Sequence, residues 1–322
     1  LDLTEAEAIA DLVDAETEAQ RLQALDQLSG TLEDLYTSWT DRLSKLLALM
    51  EADLDFSDQD LPDDLLLRVR PDLSDLVQQI SQHMDDNRRG ERLRDGVRIA
   101  VLGAPNAGKS SLVNALAQRN VAIVSPTPGT TRDVIEVHLD LGGYPVIIAD
   151  TAGLRPEQLG QDGHDAIEAE GIRRALHTAR TADLKILVFD GTLPPDPHTL
   201  ALIDESALLV INKADLATDP DIPAQLSLSV LTGAGIDQLL QHIQDRLDTL
   251  VGRRATPTLT RARHRESLQL AQSALIRSMD APLPELAAED LRLAVRHLGA
   301  ITGKVDIEDL LDMIFRDFCI GK

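Results

Sequence analysis

Residues 103–110 read G-A-P-N-A-G-K-S, two glycines five positions apart followed by a lysine and a serine. Such a loop works only between a strand and a helix, so it constrains the fold around it. Both flanks are present. Val97–Leu102 is an apolar-leaning run suited to a buried strand, and Leu112, Val113 and Leu116 follow at helical spacing. The backbone N–H groups of the loop and the positive end of the helix would converge on phosphates. Lys109 would reach the outer phosphates and the Ser110 hydroxyl would bind a magnesium ion, with Asn106, Ala107, Gly108 and Ser111 completing the loop.

That loop would serve ATP or GTP alike. The base is decided by Asn212-Lys213-Ala214-Asp215, which follows the apolar run Ala207–Ile211 at the carboxyl end of an expected strand. Open α/β sheets collect their ligands at that edge. The Asp215 carboxylate can accept from both the ring N1–H and the exocyclic amine of guanine, and adenine offers neither pattern. Between the two motifs, Asp150-Thr151-Ala152-Gly153 follows the strand Val146–Ala149. Asp150 would hold the magnesium through water, and the Gly153 N–H would face a γ-phosphate. Each tetrapeptide alone is a common turn; their order, each behind a strand, carries the signal.

Six strands are expected: Val97–Leu102, Val134–Leu141, Pro145–Ala149, Leu184–Phe189, Ala207–Ile211 and Gln225–Val230. The second and third read as a hairpin turning at Gly142-Gly143, an antiparallel edge on a mostly parallel sheet. Residues 1–94 read as helical, with Leu32, Leu35, Trp39, Leu43 and Leu46 at steps of three and four. An acidic turn over Asp53–Pro62 precedes a second helix, which is expected to start about Pro71 and end near Arg89-Gly90. Val251–Thr258 carries Gly and Pro as a boundary signal. Beyond Arg261, Leu291, Val295 and Leu298 are again at helical spacing. The expected architecture is an α/β P-loop GTPase domain over 95–250 inserted into an all-α helical domain built from 1–94 and 251–322.

Composition sets limits. The net charge of −23 repels nucleic acid at long range, so any RNA contact needs a local basic patch. The cluster Arg253, Arg254, Arg261, Arg263, His264 and Arg265 reads either as that patch or as salt bridges at a domain junction. Only six lysines are present, which fits a salty cell or simply a GC-rich genome. The one cysteine, Cys319, excludes internal disulfides and fits a reducing cytosol. No apolar run approaches a membrane span and no signal peptide is seen, so a cytoplasmic protein with no membrane partner is expected. The first residue is Leu1, which suggests a trimmed start.

The motifs G-A-P-N-A-G-K-S-S, S-P-T-P-G-T-T-R-D, D-T-A-G-L-R and N-K-A-D, closed by F-C-I-G-K at Phe318–Lys322, closely resemble the MnmE (TrmE) family of tRNA-modification GTPases. The resemblance runs through the whole chain in order. That family's N-terminal domain, which binds a folate and forms a constitutive dimer, has no counterpart here. Neither property is therefore implied for this chain.

The family is a potassium-activated GTPase, and the resemblance assigns the remaining roles. Leu154 stands where many GTPases carry a glutamine that orients the attacking water, and Glu168 corresponds to the family's water-positioning glutamate. Potassium would take the place of an arginine finger. Its oxygens would come from Asn106 and from the loop Val124–Thr130, through Ser125, Thr127 and Thr130. Asn106 also suits a plain turn, and both roles can hold together. Thr131 would reach magnesium and the γ-phosphate. Ser229-Val230-Leu231 resembles the motif that backs the guanine ring, with Val230 where the family usually has alanine. Cys319 is either tied to the modification reaction or a thiol packed with Phe315 and Phe318.

The function implied is GTP hydrolysis in the service of tRNA wobble-uridine modification at C5, with an MnmG-type flavoprotein as partner and a G-domain homodimer in the GTP state. Mg²⁺ and K⁺ are the expected cofactors and GTP the substrate. A ribosome-assembly GTPase shares the core motifs, and a GTP-dependent adaptor switch with incidental hydrolysis is the reading from a different class.

Overall fold

The run V-R-I-A-V-L is buried at five of its six positions, as only a strand covered on both faces can be. The computed structural model describes residues 2–55, 65–119, 135–150, 176–216, 226–252 and 258–303. In chain order these form α1 (Leu3–Val13), α2 (Glu18–Leu28), α3 (Thr31–Asp55), α4 (Leu65–Met84) and α5 (Arg89–Asp95). Then come β1 (Val97–Leu102), α6 (Lys109–Arg119), β2 (Ile135–Leu141), β3 (Tyr144–Asp150) and β4 (Leu184–Asp190). They are followed by α7 (Pro197–Leu200), β5 (Ala207–Asn212), β6 (Leu226–Ser227), α8 (Ile236–Val251), α9 (Ala262–Met279) and α10 (Pro284–Thr302). Two units result: residues 16–20 with 95–252, and residues 1–15, 21–94 and 253–322.

The first unit is an α/β sheet of six strands in the order β2-β3-β1-β4-β5-β6. All pairings are parallel except β2 with β3, which form a hairpin. Its turn residues Gly142 and Gly143 have φ of 66° and 93°, a conformation that glycine alone adopts freely. Strands β4 and β5 are buried at every position. On α8, Ile236, Leu239, Ile243, Leu247 and Val251 are buried, a stripe at steps of three and four. The last strand is shorter than the sequence suggests. After Leu228 donates its N–H to Ile211 (2.8 Å), Ser229 instead donates to Ala234 and accepts from Gly233, so the chain turns away from β5. Because β1 sits centrally, with β3 on one side and β4 on the other, the order reverses at its carboxyl end. That is where ligands enter such sheets.

The second unit is all-α. Helix α3 packs on α4 and α10, and α9 packs on α4 and α10, closing a ring of four helices. Two of them precede the sheet in sequence and two follow it. The core between them holds Leu43, Leu47, Leu73, Leu76, Ile80, Leu268, Leu275, Leu291 and Leu298, all at 1% exposure or less. Two expectations are corrected here. Pro71 lies inside α4, not at its start. The buried stripe Val69, Leu73, Leu76 and Ile80 runs across it, so apolar burial outweighs the missing backbone donor. Gly90 does not end a helix but sits within α5. A Cβ there would meet the Leu259 carbonyl oxygen at 2.1 Å, so this glycine permits a close backbone approach. The break lies earlier, at Asn87 and Arg88, both at positive φ.

Candidate nucleotide-binding site

The phosphate-type loop joins β1 to α6, whose first residue is Lys109. Three loop positions carry positive φ: Gly103 (154°), Asn106 (62°) and Gly108 (98°). Asparagine tolerates the left-handed region better than most residues, which explains it at the non-glycine position. A Cβ at Gly103 would lie 2.2 Å from the Val188 carbonyl oxygen, and one at Gly108 would lie 2.1 Å from Asn212 Nδ2. Both glycines therefore bring backbone against backbone or side chain where nothing larger fits. The Lys109 ammonium donates to the carbonyls of Gly103 (2.9 Å) and Ala104 (2.8 Å), so the cation sits over the mouth of its own loop. Ser110 and Ser111 are exposed at the start of α6, and Ala107 is fully buried beneath the loop.

The N-K-A-D segment begins at the last residue of β5. Asn212 is buried and ties two loops together. Its Nδ2 donates to the Ala107 carbonyl (2.9 Å), and its Oδ1 accepts from the Val230 N–H (3.1 Å). The Val230 N–H is thus spent on Asn212. Ala214 donates to the Leu228 carbonyl (3.0 Å), which fixes the segment against the chain leading to Ser229. Ser229 is buried and its hydroxyl accepts from the Thr232 N–H (3.2 Å). Asp215 is exposed, as are Leu216 and Leu231 on the two loops, the latter at 87%. Apolar side chains left in water beside an acidic edge suit a flat ring that offers N–H donors.

One residue of this site escaped the sequence reading. Asp190 ends β4, opposite Asn212 in the register, and its carboxylate forms an ion pair with Lys213. It also accepts from the Thr192 N–H (2.9 Å) and hydroxyl (2.6 Å). Burial opposes the charge, but the bonds from Lys213 and Thr192 hold the carboxyl below the usual range. The available signal was the turn Asp190-Gly191-Thr192 directly behind the run Leu184–Phe189, apolar but for Lys185.

Asp150 is the last residue of β3, paired with Val101 beside the phosphate-type loop. Ser125, Thr127, Thr130, Thr131, Gly153, Glu168 and Cys319 lie outside the described residues. Among the described residues no group of three His, Cys, Asp or Glu side chains is placed to hold a metal. Magnesium held on substrate phosphates and a loop hydroxyl needs none, and the exposed Ser110 fits that hard cation. The basic cluster resolves as internal ion pairs in the helical unit: Arg261 with Asp11, Arg263 with Glu7, and Arg265 with Asp86 and Glu91. Arg253 and Arg254 lie outside the described residues.

The sequence profile of the MnmE helical domain matches residues 3–319. The protein "tRNA modification GTPase MnmE" of Paramagnetospirillum magneticum is 53% identical over all of this chain and 73% of its own length. The proteins of the same name from Parvibaculum lavamentivorans and Rickettsia typhi are 52% and 46% identical, with the same coverage. A phosphate-type loop linked through Asn212 to a guanine-type segment, within a match that leaves almost no residue out, makes the chain a member of the MnmE family of tRNA modification GTPases.

Proposed function

We propose that this chain is the GTP-hydrolysing and helical part of a potassium-activated enzyme acting in tRNA wobble-uridine C5 modification, together with an MnmG-type flavoprotein. As a member of its family the chain is a GTPase. The observation that carries the reading is the Asn212 side chain, which binds the phosphate-type loop at Ala107 and the base-recognition loop at Val230 at once. A nucleotide spans those two loops, with triphosphate at Gly103–Ser110 and guanine at Asp215.

The roles follow from chemistry and family resemblance. Lys109 exchanges its two carbonyl partners for β- and γ-phosphate oxygens, since an ammonium gains more from anions than from neutral carbonyls. Magnesium would be held by Ser110 and Thr131, with Asp150 acting through water, and supplies charge withdrawal from the phosphates. Potassium would be held by Asn106, Ser125, Thr127 and Thr130 and supplies positive charge at the β/γ bridge, in place of an arginine finger. Glu168 positions the attacking water and the Gly153 N–H holds the γ-phosphate. Two nucleotide domains meet face to face in the GTP state, and hydrolysis releases them. The substrate downstream is tRNA and the site of action the cytoplasm. No helix among the described residues is long and apolar enough to cross a membrane.

The test is turnover of GTP in KCl against NaCl at equal ionic strength. A rise of at least about tenfold in potassium is expected, a small share of what an arginine finger supplies. Asn106→Ala should abolish that dependence while leaving GDP binding within a few-fold. Equal rates in both salts would remove potassium from the account, and a preference for ATP would remove guanine.

A further inference from the structure

We infer that Asp190 is a positioning residue for the guanine base, acting through Lys213. The inference rests on the guanine-nucleotide reading above and adds a residue to it.

Five observations meet at this point. Asp190 and Asn212 are partners at the ends of adjacent parallel strands, and the Gly191 N–H extends that ladder to the Asn212 carbonyl (2.9 Å). Lys213 follows at φ 63°, a conformation that a lysine adopts only when its surroundings impose it. Its ammonium reaches back across the strand gap to Asp190 Oδ2. The other carboxylate oxygen is fixed by the Thr192 N–H and hydroxyl, so the acceptor itself cannot swing. Asp190 is buried, while the Lys213 side chain remains a third exposed.

The consequence concerns the methylene stem. A lysine free at its tip samples many rotamers, and the loss of that freedom is charged against any ligand it covers. With its ammonium anchored on β4, the stem is held as a fixed apolar strip beside the exposed Asp215, ready to pack on the face of a base. Asp190 touches no part of the nucleotide in this account. It sets the position of a residue that does. The carboxyl lies below the usual range, so Asp190 stays charged throughout the neutral region.

The experiment measures the affinity of fluorescent N-methylanthraniloyl-GDP for the whole chain and for Asp190→Asn, Lys213→Met and the double variant. Asp190→Asn keeps the shape and removes the charge. It should weaken binding about tenfold, within the range over which residues of one contact network couple, through faster release. In the Lys213→Met background it should cost nothing further, because the two residues act as one unit. The ratio of GDP to IDP affinity should stay unchanged, since the exocyclic amine is read by Asp215 and not by the lysine stem. Thr192→Ala loosens the same carboxylate without touching the ion pair. It should show a smaller loss that also vanishes with Lys213→Met. Wild-type affinity in Asp190→Asn, or the same loss in both backgrounds, overturns the inference and leaves guanine binding intact. Failure of the unaltered chain to bind the probe overturns the guanine reading itself.

Discussion

An alanine at position 108 would put a methyl carbon 2.1 Å from Asn212 Nδ2, at a backbone φ of 98°. The two faults differ in kind. A left-handed alanine costs about 1–2 kcal/mol in the folded state wherever it stands. The clash, in contrast, falls on the one side chain that links the phosphate-type loop to the base-recognition loop. Gly108→Ala should therefore lower the melting temperature of the free protein by only several degrees, at about 2–4 °C per kcal/mol for a unit of this size. It should abolish the further rise that saturating GDP gives the unaltered protein, because the linked loops no longer match one ligand. Melting with and without GDP checks both halves, and a retained GDP shift would show that Asn212 can move aside. Asn212→Ala should give the same ligand effect with a comparable loss of stability, by a different route. It leaves the Ala107 carbonyl and the Val230 N–H unpaired but strains no backbone.

At the scale of elements, the sheet was legible because each signal was local and strong. Between the glycine loop and the N-K-A-D segment, the four expected strands Val134–Leu141, Pro145–Ala149, Leu184–Phe189 and Ala207–Ile211 are found at or near those bounds among the described residues. The Gly142-Gly143 turn paired β2 with β3 in a single register. The helical unit was legible in type but not in punctuation. Proline and glycine were read as helix ends at Pro71 and Gly90, and both lie inside helices. In each case a tertiary demand outweighed the local rule: a continuous apolar stripe through Pro71, and the approach of Leu259 at Gly90. Asp190 was missed for a similar reason, since its role depends on the strand beside it and not on its own neighbours in sequence. The same stripe yields a test. Leu76 is fully buried among the four helices, so Leu76→Ala should destabilise the helical unit by about 2–5 kcal/mol. A urea titration followed by tryptophan emission measures it, and a loss under about 1 kcal/mol would mean that the stripe across Pro71 is not a core.

For the whole molecule, each unit holds its own apolar core, so the two should unfold in separable steps. Acid should distinguish them. The helical unit half-buries His83, whose Nε2 is hydrogen-bonded to the Tyr36 hydroxyl at 3.1 Å, and burial lowers its pKa from 6.5 to about 4. Tyr36 is pushed upward by its own burial and keeps its proton, so it can donate to the neutral ring. A protonated His83 could no longer accept such a bond and would bring a charge into a largely desolvated site. Glu7 works in the same direction at lower pH. Burial raises its pKa, but the bonds from His264 and Arg263 prevail and bring it to about 2. For both groups the unfolded chain binds a proton that the folded one refuses. Stability is therefore full above the unfolded values and falls with pH, from 6.5 to 4 through His83 and from 4.5 downward through Glu7. The His83 contribution is on the order of 3 kcal/mol over its window. In the nucleotide unit the carboxyls held low are those of Asp190, Asp196 and Asp204, whose contribution is lost mainly below their ordinary value of 3.8, so their slope falls beneath pH 4.5. Trp39, the single tryptophan, has its ring 5.5 Å from that of His83, so its emission reports the helical unit alone. The urea midpoint seen by this emission should fall steadily from pH 7 to 4.5, while the other calorimetric transition stays nearly level. His83→Gln, which keeps an acceptor for Tyr36 and cannot take the proton, should flatten the share of that fall that His83 carries and leave the share of the buried His264, whose pKa burial also lowers. A flat profile in the unaltered protein would mean that this histidine is protonated or solvated in the folded state, and that the two units do not differ in their response to acid.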